Sequence, residues 1–272
     1  MIVALVLHNF LRSISDESRP DIAADHIAVV VAHPDDETIG CGALLGRLAG
    51  VAVIVVTDGA PMDGAEARAQ GFPDCENYAA ARACELERAL GIAGVAPDRI
   101  TRLNVRDQQA ARQMARVTSS LAQLIAQHGI AIVLTHAYEG GHPDHDATAF
   151  CVHAAVRRLE RDVAIVEMPY YRLGEGEEEF QSFPPGSGVL RVLLTEEERA
   201  TKRRMTEAHE TQRTVLAPFS LEAEQFRLSP SHDFSRPPNG GRVLYDTRPW
   251  GMNSAEWLAC ARIAQHAADI SP

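Results

Sequence analysis

Two short runs hold residue types that bind metals and move protons. The first is Ala32-His33-Pro34-Asp35-Asp36-Glu37 and the second is Gly140-Gly141-His142-Pro143-Asp144-His145. Each contains His-Pro-Asp followed by Asp or His. Imidazole and carboxylate without thiolate suit zinc in an open catalytic site better than in a closed structural one. The candidate ligands and proton carriers are His33, Asp35, Asp36, His142, Asp144 and His145. Each run also has a plain reading: an Asp in the first helical turn complements the helix dipole, and a lone His after a strand is commonly structural. Two such corners at matching places argue for a set.

The elements around these runs predict how they meet. Residues 27–32 (IAVVVA), 51–57 (VAVIVVT) and 130–135 (IAIVLT) are apolar, β-branched runs of the kind buried on both faces of a sheet. Residues 100–105 and 163–168 are further strand candidates, and helical patterns occupy 34–49, 76–90, 111–127 and 145–159. Strands alternating with helices predict a Rossmann-like α/β fold: a mostly parallel sheet with helices on both faces. Each His-Pro run follows a strand and opens a helix, with Pro expected at the first helical position. If the strands take the common doubly wound order, the first and fourth are neighbours, and both corners face one cleft at the carboxyl ends. After residue 169 the pattern changes. Residues 58–74 and 174–188 read as loops, a capping box of Thr195 and Glu198 starts a long helix, and 230–249 reads as an irregular C-terminal cap. One domain is expected, with a core of about 26–215 and an extension over 216–272.

Composition narrows the function. The chain has 272 residues and a formal net charge of −11, which repels phosphate backbones and anionic lipid, so neither nucleic acid nor a membrane is expected as partner. HPDDE follows the first strand where a nucleotide-binding enzyme would place a Gly-rich phosphate loop. The five cysteines are odd in number and form no CxxC pair, so they are expected to be reduced and buried. The start, MIVALVLHNF, lacks a basic region and a small-residue cleavage site, and is expected to pack as an N-terminal segment. No apolar stretch approaches the roughly 18–20 residues of a membrane span. A cytoplasmic location is the default expectation, and self-association is left open.

AHPDDE after the first strand and GGHPDHDA after a later one resemble the LmbE/PIG-L family of zinc-dependent de-N-acetylases. That family acts on N-acetylglucosaminyl-phosphatidylinositol, on mycothiol and bacillithiol precursors and on glycopeptide-antibiotic sugars. The resemblance covers roughly residues 27–168 and the helix that begins at Thr195. It implies hydrolysis of an N-acetylglucosamine-type conjugate to acetate and a free amine, with one Zn2+ per chain. It further implies that His33, Asp36 and His145 hold the metal, that Asp35 is the general base, and that protonated His142 assists the oxyanion or the leaving amine. The spacing alone leaves open whether His142 is instead a fourth ligand. Arg82, Asp107 and Tyr138 are candidate substrate contacts, and Tyr170 and Tyr171 could stack on a sugar. Lys202, His209 and Gln212, on the KRRMTEAHETQ segment, are expected to be mainly structural, as is Glu37. A metal-dependent amidase on a non-sugar acetamide and a non-catalytic metal-binding member are the alternatives. The substrate expected is a soluble amino-sugar conjugate rather than a lipid.

Overall fold

The structure is a computed structural model that describes residues 2–159, 161–184 and 188–269. Strands β1 (Ile27–Val31), β2 (Ala52–Thr57), β3 (Ile100–Val105), β4 (Ile132–His136) and β5 (Ala164–Met168) are parallel. Strands β6 (Leu190–Leu193) and β7 (Ala223–Leu228) extend one edge in antiparallel fashion, giving the order β6-β7-β5-β4-β1-β2-β3. The first and fourth strands therefore pair directly, with Ile27 opposite Ile132 and Val30 opposite Thr135. Chain order reverses at that pair, which is where an open parallel sheet leaves a crevice.

The unbroken apolar strands are buried on both faces, and alternate residues feed separate cores. Ala28, Val30, Ile54 and Val56 pack beneath α4 (Met114–Gln127), α5 (Pro143–Arg157) and α7 (Ser254–Asp269). Ile27, Val29, Val31, Val53 and Val55 face the side holding α1 (Ile2–Ser15), α2 (Asp36–Leu45), α3 (Cys75–Ile92) and α6 (Glu196–Ala208). The N-terminal segment is thus a helix, and it sinks Phe10 and Ile14 into the second core.

Three departures matter for the site. The segment after β1 is helical only from Asp36, and α2 breaks its geometry at Cys41, where φ is −150°. The kink turns the amides of Ala43 and Leu44 toward the Glu224 carboxylate on β7, which accepts from both at 2.8 and 3.1 Å. The predicted loop 58–74 carries a short helix, Ala65–Ala69. The extension is not wholly irregular: it supplies β7 and α7, and Trp257 of α7 is fully buried and donates its indole N–H to the Pro143 carbonyl at the start of α5. All five cysteines are free, but only Cys41 and Cys151 are buried, and Cys84 is exposed. Among the described residues no helix is long and apolar enough to cross a membrane.

Candidate active site

The two His-Pro runs look alike in sequence but fold differently. In the second, His142 is the N-cap of α5, Pro143 is the first helical residue, and the His142 ring accepts from the Asp144 amide at 3.2 Å. In the first, Pro34 lies outside the helix. Asp35 is the N-cap with φ +126°, a backbone state that side chains other than glycine rarely take. Three contacts hold it there. The Asp35 amide donates to Glu37 Oε2 at 3.0 Å, the Arg82 guanidinium donates to Asp35 Oδ2 at 2.8 Å, and Arg82 also donates to the Pro34 carbonyl at 2.6 Å.

The corners converge as the strand order requires. His33 Nδ1 is 3.2 Å from His145 Nε2 and 3.2 Å from Asp36 Oδ2, and His145 Nε2 is 3.3 Å from Asp36 Oδ1. Metal–ligand bonds of about 2.0–2.1 Å place tetrahedral ligand atoms about 3.3–3.4 Å apart, so the three donors fit a divalent ion between them. The His33 ring presents Nδ1 to this centre because Nε2 faces Asp107 Oδ1 at 3.1 Å and Asp144 Oδ2 at 3.5 Å. A carboxylate behind a ligating imidazole fixes its orientation and raises its basicity. His142 also lies within ligand reach of His33 and His145.

Electrostatics favours a cation at this point. Burial works to lower the His33 pKa, but Asp107, Asp144 and Asp36 outweigh it and hold the ring well above the ordinary imidazole value. Carboxylates that favour positive charge there would also attract a metal ion. Burial raises Asp35 to about 7, with Arg82 opposing and Asp36 adding to the rise. His142 is held well below the ordinary value by burial and by the neighbouring His33 and His145. With Nδ1 accepting from the Asp144 amide, the ring in its neutral form carries its proton on Nε2.

A cavity of about 150 Å³ opens over these groups, and Glu66, Arg82, Asp107, Tyr171, Gln212 and Trp250 line it beside them. Five of the eight expected site residues cluster as anticipated: His33, Asp35, Asp36, His142 and His145. Arg82 and Asp107 line the cavity, but each is engaged with a neighbour: Arg82 grips Asp35 and the Gly59 carbonyl, and Asp107 faces His33. Tyr138 is a correction. It lies outside the lining, packed on Phe234 and Trp257, with its hydroxyl donating to the Arg236 carbonyl, because the C-terminal segment covers it. The aromatic walls are Tyr171 and Trp250, the latter with its ring 4.7 Å from that of His142.

The supporting residues explain the rest of the motif. Glu37 and His209 meet at 3.3 Å, fully buried, behind Asp35. Lys202 donates to the Ile39 carbonyl and to Glu224, pinning the kinked α2, and Gln212 donates to Tyr78 while lining the cavity. Asp144 accepts from the amides of Gln108 and Ala110, tying the segment after β3 to α5. His136, which sequence reasoning missed, ends β4. Its Nε2 accepts from the Ala32 amide at 2.8 Å, and its ring stacks on His145 with centroids 4.1 Å apart. Its place at the carboxyl end of a buried strand beside β1 was the available signal. Glu66 and Trp250 carried none, since each lies in a stretch without regular pattern.

Residues 28–156 match the family model described as PIG-L, GlcNAc-PI de-N-acetylase. A curated relative, 1D-myo-inositol 2-acetamido-2-deoxy-alpha-D-glucopyranoside deacetylase of Corynebacterium jeikeium, is 30% identical over 177 residues, which are 52% of this chain and 53% of the relative. The chain thus matches about half the length of that relative. Among solved structures, N,N'-diacetylchitobiose deacetylase from Pyrococcus horikoshii superposes with a TM-score of 0.55 at 20% identity, covering 84% of this chain and 92% of that one. The zinc-inhibited form of teicoplanin deacetylase gives 0.55 at 19% identity, covering 74% and 96%. At these identities the structures establish a shared α/β fold.

Proposed function

We propose that the protein is a zinc-dependent de-N-acetylase that hydrolyses the N-acetyl group of an N-acetylglucosamine-type conjugate to acetate and a free amine. The observation that carries this reading is the convergence of His33, Asp36 and His145 at 3.2–3.3 Å beside a buried carboxylate of pKa about 7. Similarity to PIG-L proteins and to a GlcNAc-inositol deacetylase supports the substrate class.

His33, Asp36 and His145 would hold the ion. Zinc bound there supplies Lewis acidity toward water and the acetamide carbonyl. Asp35, poised near neutral pH, takes the proton of the attacking water. His142 Nε2–H donates to the carbonyl oxygen as negative charge gathers on it. Asp35 then passes its proton to the departing nitrogen, and the C–N bond breaks. Arg82 and Glu37 keep Asp35 aimed, and Trp250 and Tyr171 give a sugar ring flat faces to lie against.

The test pairs metal analysis with acetate release over N-acetylglucosaminides, chito-oligosaccharides and non-sugar acetamides. Asp35→Asn and His142→Ala are expected to keep one zinc and lose at least about 10²-fold in kcat, while His145→Ala loses the metal. Zinc lost from the His142 variant would make it a ligand. Metal bound without acetate release on any acetamide would make the protein a non-catalytic binder.

A further inference from the structure

The cavity lining combines two chemistries. It carries the carboxylates of Asp35, Asp36, Glu66 and Asp107. Among its described lining residues the only fixed cation is Arg82, whose two terminal nitrogens are already bonded to Asp35 and to the carbonyls of Pro34 and Gly59. The rest of the lining includes an apolar, aromatic set: the buried Ile39 with Tyr171, Val215, Phe219 and Trp250. Phe219 is held edge-on by Phe180, with centroids 5.4 Å apart, and Tyr171 lies 6.2 Å from Phe219 and 6.5 Å from Trp250. The rings form one arc around the opening. Val215 stands at its rim with 57% of its surface exposed. Phe219 also lines a neighbouring groove of about 520 Å³, shared with Leu216, Ala217 and Leu221 and with the polar Thr206, Glu207 and Arg213.

An acetamide bound over the metal trio leaves its sugar in the cavity, and whatever the sugar carries must leave past the exposed part of the lining, where Val215 stands. We propose that the Val215–Phe219 rim and the neighbouring groove form a subsite for an uncharged, apolar aglycone, alkyl or aryl, on the amino sugar. The covalent link to the sugar fixes the occupant, and the shared Phe219 joins groove and cavity. A phosphate joined directly to the sugar is disfavoured: the cavity lining carries Asp35, Asp36, Glu66 and Asp107, and its one guanidinium is already bonded to Asp35. This proposal rests on the de-N-acetylase reading and narrows the soluble conjugate expected from sequence to one with an apolar substituent.

The test compares methyl and n-octyl N-acetylglucosaminide and N-acetylglucosamine 1-phosphate on the zinc-loaded full chain. The octyl compound is expected to exceed the methyl compound at least about tenfold in kcat/KM. That is about 1.4 kcal/mol, the burial of roughly two methylenes. The 1-phosphate is expected to fall below both. Val215→Asp is expected to bring the octyl-to-methyl ratio close to one, and Val215→Leu to preserve it, with circular dichroism verifying that both variants fold. Equal rates on octyl and methyl compounds, a preference for the 1-phosphate, or a ratio untouched by Val215→Asp would overturn the subsite. If no compound releases acetate, calorimetric binding separates the two ideas. Octyl glycoside binding tighter than methyl, and weakened by Val215→Asp, keeps the subsite while the hydrolytic reading falls. Equal binding removes the subsite.

Discussion

Replacing Arg82 by Met distinguishes two roles for a residue that sequence alone places near the substrate. Arg82 is 4% exposed and donates to Asp35 Oδ2 at 2.8 Å. Burial raises Asp35 to about 7, and Arg82 is the largest influence pulling it back. Loss of an adjacent guanidinium raises a carboxylate pKa by about 1–3 units. A base must be deprotonated to act, so the acidic limb of the kcat/KM profile is expected to move to higher pH by that amount. Where the limb crosses neutral pH, activity falls by roughly 10- to 1000-fold and is partly recovered in alkaline buffer. A divalent ion bound beside Asp35 would lower the absolute position of the limb but leave the direction of the shift. Removing one partner of a buried pair also costs about 3–5 kcal/mol, so the variant must be assayed below its melting transition. The assay is acetate release from pH 5 to 10, with kcat and KM separated. An unmoved limb with only a raised KM would refute the reasoning and return Arg82 to direct substrate binding.

Other outcomes follow from the supporting structure. Lys202→Met leaves Glu224 buried without its cation and is expected to cost about 3–5 kcal/mol; at about 2–4 °C per kcal/mol for a chain of this size, differential scanning calorimetry should show a melting temperature lower by roughly 10 °C. Trp257→Ala empties a fully buried site and removes the donor to Pro143, and urea titration should show a loss of about 3–5 kcal/mol. Burial raises Glu139 to about 8, partly opposed by its bonds from the Tyr170 and Tyr171 amides. A folded-state pKa above the unfolded value gives stability that is full below about pH 4.5 and lost as pH rises through about 8. Glu139→Gln should therefore flatten the slope of stability between pH 5 and 9 in urea melts; an unchanged slope would show that Glu139 titrates normally.

The sequence by itself determined the sheet and the heart of the site. Buried parallel strands need unbroken β-branched runs, and residues 27–32, 51–57 and 130–135 satisfy that locally. The order of strands and helices then brings the corner after β1 beside the corner after β4, so His33, Asp36, His142 and His145 meet without further information. The two corners, identical in pattern, were indistinguishable as text; only packing against Arg82 and Glu37 gives Asp35 its strained backbone while Pro143 starts an ordinary helix.

Tertiary structure decided every role that depends on a partner distant in the chain. Arg82 lies 47 residues from the Asp35 it holds, and Tyr138 turns away toward Arg236, 98 residues on. Trp250 reaches the cavity from a stretch with no periodicity, and Glu224 meets Lys202 only because β7 joins the sheet edge. Hydrophobic periodicity records which face of an element is buried, and so predicts the scaffold. It does not record which side chain on another element completes a hydrogen bond or an ion pair; that is set by distances of about 3 Å that exist only once the elements have packed.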